Sequence, residues 1–277
     1  MRLLPFHWHV VELAVIVVAA VAQRISVSDR RQRRYALGAL GALAVVTMWP
    51  IGDLAATVSL TVTTVQRLVI MLLVAPLLLL ATPTSVFSRV TRPAPVDAVM
   101  RRLAHPGAAL VAVTVLGTCT LTPAVLDWGA HGQLNRDVVT LSVLVLGVIL
   151  WIPALALMPG TKRLSPIARA GYVFASSLVV TSLSFVWIFS RHPLYPALHH
   201  QQALLHMTPL FDQELAGFVA KLACYAPMWT VAFFIFSHAE DHGVEVEETP
   251  LHWADVEREL LRLDRQRARD LRHQRSP

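Results

Sequence analysis

Apolar residues gather into seven long runs, at roughly 9–23, 35–57, 65–82, 107–126, 137–158, 168–190 and 215–237. Short connections between them hold most of the charge that precedes the C-terminal stretch. A helical bilayer crossing needs about 20 mostly apolar residues. A barrel strand needs only about 10 and alternates in polarity, which these runs do not. The pattern therefore predicts an all-α membrane bundle of about seven transmembrane helices, one domain over 1–237. Pro76, Pro83, Pro123, Pro153 and Pro227 lie within or beside the runs, where neighbouring helices can re-satisfy the freed backbone groups. The first run has only Arg2 before it and Gln23-Arg24 after it. With neither a basic leader nor a small-residue cleavage site, it reads as a spanning helix.

Beyond 237 the pattern changes. Residues 238–277 hold ten acidic and seven basic side chains, opening with an acidic stretch at Asp241, Glu245, Glu247 and Glu248. After Pro250, the residues Trp253, Val256, Leu260, Leu263 and Leu271 recur at helical spacing among Arg, Asp and Glu. This predicts a second domain: an acidic linker and an amphipathic cytoplasmic helix. That helix would lie on the membrane, dock on the chain's own loops or engage a partner.

Charge placement orients the bundle. The connection after the first run carries Arg24, Arg30, Arg31, Arg33 and Arg34. The third carries Arg89, Arg92, Arg101 and Arg102, and the fifth Lys162, Arg163 and Arg169. Between these, 50–64 has no cation, 127–136 has Arg136 and 191–214 has Arg191. Cytoplasmic connections collect Lys and Arg, so the expectation is an extracytoplasmic N-terminus, a cytoplasmic C-terminus and a bacterial cytoplasmic membrane.

Composition agrees. Of 277 residues 55% are hydrophobic and 15% charged, against about 25% charged in a soluble domain. The net charge of +6 sits between apolar runs, which speaks for topology and a lipid bilayer rather than nucleic acid. Cys119 and Cys224 lie inside apolar runs and form neither a disulfide framework nor a CxxC motif.

No P-loop, GxSxG, HExxH or strand-linked GxGxxG is present, so an enzyme is not expected. Candidate chemistry lies toward the outer face. The sixth connection holds His199, His200, His206 and Met207, with His192, Asp212 and Glu214 nearby. Imidazole and thioether groups suit copper, so this set is a candidate metal site. The plainer alternative is a solvated polar loop. A second group, Asp53, Gln66, Arg67, Asp127, Arg136, Asp137 and Lys221, lies at helix ends as either a buried network or interfacial side chains. Asp53, Asp137, Asp212 and Glu214 are the expected carboxylate partners of Arg67 and Arg136.

Several segments resemble a known family. Val65, Gln66, Met71, Leu72, Ala75, Pro76, Leu77, Leu78 and Pro83 match the third-helix motif of the CtaG-like cytochrome c oxidase assembly factors of bacteria. Asp127, Gly147, Trp151 and Pro153 match its fourth-to-fifth helix region. Leu194, Tyr195, Pro196, Asp212, Gln213, Ala216 and Gly217 match its sixth connection. The resemblance covers about 35–237. It implies a non-enzymatic assembly or maturation factor, copper-related, whose partners are haem–copper oxidase subunits. Where the family carries two histidine pairs, this chain has Thr63, Arg67, Arg136 and Thr140. That departure implies a divergent member, its metal site lost or remodelled, acting as a membrane scaffold. The alternative is a copper or small-solute transporter using the His-rich outer loop.

Overall fold

The computed structural model describes residues 29–48, 51–57, 59–90, 92–155, 164–195 and 207–241. Among these the chain is helical and contains no strand. The chain divides into two compact units, Met1–Phe236 and Ser237–Pro277. Of the second, only the closing residues of the last helix are described. The acidic stretch beyond Asp241 and the amphipathic helix expected around Trp253 lie outside the described residues.

Among the described residues, four helices are long and apolar enough to cross a membrane: Leu60–Ala81, Gln133–Leu155, Pro166–Phe189 and Pro209–His238. They correspond to the third, fifth, sixth and seventh apolar runs. In chain order the elements are α1 (Arg30–Thr47), α2 (Ile51–Thr57), α3 (Leu60–Ala81), α4 (Thr84–Val90), α5 (Ala94–Leu103) and α6 (Pro106–Cys119). Then come α7 (Pro123–Ala130), α8 (Gln133–Leu155), α9 (Pro166–Val180), α10 (Leu183–Phe189) and α11 (Pro209–Asp241).

The other runs depart from simple crossings for visible reasons. The fourth is α6, 14 residues long, about 21 Å at 1.5 Å per residue and short of a hydrocarbon core of about 30 Å. It meets α5 at 94°, and counting that bent pair as one span makes five. The bend sits at His105, held extended (φ −76°, ψ 125°) because Pro106 follows it. The second run breaks after Thr47, where Met48 is extended. Its helix opens with Arg30, Arg31, Arg33 and Arg34, which the positive N-terminal end of the helix dipole disfavours. A helix preference does not account for them. The first run lies outside the described residues.

The main core joins α1, α3, α6, α8, α9 and α11 through Leu43, Met71, Val113, Leu150, Val173 and Met228. A close joint within it lies between α3 and α8. Pro76 has no N–H to donate, and the turn Ile70–Val74 widens so that the Ala75 N–H reaches back to the Ile70 carbonyl. Ala75 thereby bypasses the carbonyl of Met71, which accepts instead from the Trp151 indole at 2.9 Å. Gly147 lets the helices close. A Cβ there would stand 2.7 Å from Ala75 Cβ and 2.9 Å from Met71 Cα. Meanwhile Phe233, Leu222 and Phe189 are more than 70% exposed. Large apolar side chains with an already filled interior behind them call for lipid outside.

Candidate functional site at one end of the bundle

Where α3, α8 and α11 begin and α6 and α10 end, a chain of buried polar contacts replaces apolar packing. Ser59 caps α3, accepting from the Val62 N–H. From α11, the Asp212 carboxylate accepts from the Ser59 hydroxyl (2.7 Å), the Leu60 N–H (2.7 Å) and the Thr61 N–H (3.3 Å). The Thr61 hydroxyl donates in return to the Asp212 carbonyl at 2.9 Å. An anion on unsatisfied N–H groups at a helix N-terminus is favoured by both hydrogen bonding and the helix dipole. Asp212, 1% exposed, thus ties α11 to α3 across 152 residues of sequence.

Gln213 does the same for the chain leaving α10. Its amide oxygen accepts from the Leu194 N–H at 2.8 Å, and its amide nitrogen donates to the Trp187 carbonyl at 3.3 Å. The Trp187 indole donates to the Tyr195 hydroxyl, which donates to the Leu121 carbonyl at 2.9 Å. Burial pushes the Tyr195 phenol up, offset in part by the Trp187 hydrogen bond and the positive charge of Arg67. Gly217 permits this closure, since a Cβ would lie 2.6 Å from Ile188 and 2.9 Å from the Ser184 carbonyl. Leu60, Trp187, Tyr195 and Ala216 form the apolar floor.

Beside this latch lies a cleft bearing Thr63, Gln66, Arg136 and Thr140, with Ala55 and Gly129 on its walls. Thr63 of α3 and Arg136 and Thr140 of α8, three of the four positions that the resemblance sets against histidines, therefore share this cleft. The Thr63 hydroxyl is engaged with the carbonyls of Ala55 and Ser59. The Gln66 amide donates to the Val46 carbonyl at 2.8 Å. Guanidinium has no acceptor and stays charged, and hydroxyl and amide oxygens are poor partners for copper compared with imidazole or sulfur. These side chains do not fit a copper ion.

Arg67, the fourth position, lines a different cleft. Only 7% exposed, its guanidinium donates to the Thr120 hydroxyl at 2.6 Å and approaches the Thr120 carbonyl at 3.5 Å. It contacts no carboxylate among the described residues, contrary to the expected pairing. Lys221 likewise has neutral partners. Its ammonium lies 3.5 Å from the Phe185 ring centroid and donates to the Tyr225 and Thr181 hydroxyls.

The remaining expected residues scatter. Asp127 is exposed one turn before His131, whose Nδ1 lies 2.6 Å from the Asp127 carbonyl. Asp137 is buried on α8. Asp53 belongs to α2, but its side chain is outside the described residues, as are His199, His200 and His206. Met207 lies two residues before the start of α11. Three residues central to the latch or to Arg67, Ser59, Trp187 and Thr120, were not anticipated. Ser59 carried a sequence signal, a hydroxyl residue directly before an apolar helix. Trp187 and Thr120 carried none, since their partners are distant in sequence.

A family model described as cytochrome c oxidase caa3 assembly factor matches residues 13–240. No curated protein and no solved structure matches the chain. The match spans most of the chain, which therefore belongs to the caa3 assembly factor family.

Proposed function

We propose that this member of the caa3 assembly factor family serves oxidase assembly as a membrane-embedded scaffold, without ligating copper at the α3–α8 cleft. The observation that carries the reading is Arg136 sharing that cleft with Thr63, Gln66 and Thr140. A guanidinium among hydroxyls and an amide offers a copper ion no soft or imidazole donor.

The latch supplies what a scaffold needs, which is a rigid end. Asp212 and Gln213 hold three helices and the connection after α10 in one arrangement. That end faces away from the cytoplasm in our reading, because the arginine-rich connections lie at the opposite helix ends. Oxidase subunits folding at the outer surface of the cytoplasmic membrane are the partners that fit. The family match favours assembly over transport of copper or another solute.

The test is complementation with affinity capture. In cells lacking the chain, the full-length protein restores oxidase activity and retains oxidase subunits on capture from detergent-solubilised membranes. The variant Arg136→Gln, which removes charge without adding a ligand, does the same. Loss of oxidase activity with no subunit captured by the wild-type chain would overturn the scaffold reading. Copper-dependent activity abolished by replacing His199, His200 and His206 would move metal handling to the outer connection.

A further inference from the structure

Arg67 stands in a membrane-embedded cleft between α3, α6, α9–α10 and α11. It is the eighth residue of its span, so about 10 Å below the start of α3 at 1.5 Å per residue. Apolar side chains dominate the walls, among them Leu68, Met71, Val113, Val180, Leu183 and Trp187. Thr64, Thr114, Thr181 and Ser184 also line it. Their hydroxyls donate within their own helices, to Leu60, Leu110, Ser177 and Thr181 carbonyls. Apart from the exposed Thr118 hydroxyl, the donors left to the cleft belong to Arg67, whose contacts with Thr120 occupy two of its five N–H groups.

The charge balance is one-sided. Lys221 reaches the wall of the same cleft through the Thr181 hydroxyl. Neither cation meets a carboxylate among the described residues. A guanidinium at this depth is costly unless an anion or water answers it. On the α6 wall, Gly117 leaves room: a Cβ built there meets nothing within 4 Å.

We propose that this cleft binds an anionic amphiphile, its carboxylate or phosphate on Arg67 and its hydrocarbon chain along the apolar walls. The guanidinium fork matches either acid group bidentately. The positive potential of Lys221 favours the same charge. Hydroxyls that have already donated to backbone carbonyls present only lone pairs, which cannot pair with ester or carboxylate oxygens, so discrimination of acid from ester rests on the charge of Arg67. Fatty acid and acidic phospholipid share this chemistry.

The full-length protein in neutral detergent is titrated with dibrominated stearate, its methyl ester and a dibrominated phosphatidate, reading the quenching of tryptophan fluorescence, Trp187 among the reporters. Stearate or phosphatidate binds saturably, and whichever is tighter identifies the source. The ester binds about tenfold or more weakly. Arg67→Gln lowers affinity for the acids to that of the ester and leaves the ester unchanged. Gly117→Phe, which keeps Arg67 but fills the cleft, abolishes binding of all three. Elution as a monodisperse peak shows that each variant is folded. Equal binding of acid and ester, or unaltered acid binding in Arg67→Gln or Gly117→Phe, would overturn the proposal.

Discussion

Replacing Asp212 removes the acceptor that holds the start of α3 to α11. Two short hydrogen bonds, from Ser59 and the Leu60 N–H, and a longer one from the Thr61 N–H end on its carboxylate. Hydrogen bonds to a charged group contribute about 1.5–3 kcal/mol each, and stranding buried donors adds to the loss. A carboxylate at a helix N-terminus contributes up to a further ~2 kcal/mol in partly buried settings. These terms overlap, so Asp212→Ala should cost about 3–5 kcal/mol. Asp212→Asn keeps one acceptor oxygen and loses the charge, for about 2 kcal/mol. Ser59→Ala removes one bond and leaves the two backbone donors satisfied, for about 1 kcal/mol. Equilibrium unfolding in mixed detergent micelles, titrated with a denaturing detergent, measures all three. The reasoning predicts the order Ser59→Ala, Asp212→Asn, Asp212→Ala. If Asp212→Ala were as stable as the wild type, or no worse than Ser59→Ala, the carboxylate would not be the fastener described.

The α3–α8 joint should behave as a close fit. Gly147→Leu, forced against Ala75 and Met71, should lower stability by about 1–3 kcal/mol. Trp151→Phe should cost about 1–3 kcal/mol by stranding the Met71 carbonyl, and the same detergent titration reads both; an unchanged midpoint in either would refute the joint. Tyr195→Phe removes the donor to Leu121 and the acceptor for Trp187, and should shorten the protease lifetime of the connection after α10 while leaving membrane insertion intact. A cysteine at Ser165 should be labelled only from the cytoplasm and one at His192 only from outside, in a background where Cys119 and Cys224 are serine. Reversed labelling would contradict the orientation.

The four helices that meet the length and polarity demands of a crossing were legible because hydropathy over about 20 residues depends on composition alone. The bend between α5 and α6 was not. Runs of apolar letters do not show that His105 must be extended ahead of Pro106, although that dipeptide is a boundary signal in its own right. The matches at Pro76, Gly147 and Trp151 pointed to a family before their physical meaning was visible. Only the coordinates place an indole on the carbonyl that the widened turn leaves open. Polar partners were the least legible. Arg67 was expected to find a carboxylate and instead uses Thr120, 53 residues away, a choice made by tertiary packing that leaves no trace in local sequence. Asp212, grouped with the arginines by charge, belongs to a helix N-terminus, where backbone N–H groups rather than side chains provide the positive end.

Copper content of the purified full-length protein, set beside that of a variant with histidines restored, bears most directly on the scaffold account. Thr63→His, Arg136→His and Thr140→His place three imidazoles in the cleft that now holds hydroxyls and a guanidinium, and Arg67→His adds the fourth family position. After incubation with copper and removal of the excess, the account predicts no copper retained at this cleft by the natural chain and close to one equivalent by the restored variant. Stoichiometric copper in the natural chain that is lost on Arg136→Gln or Thr140→Ala, with the His199, His200 and His206 segment intact, would contradict it.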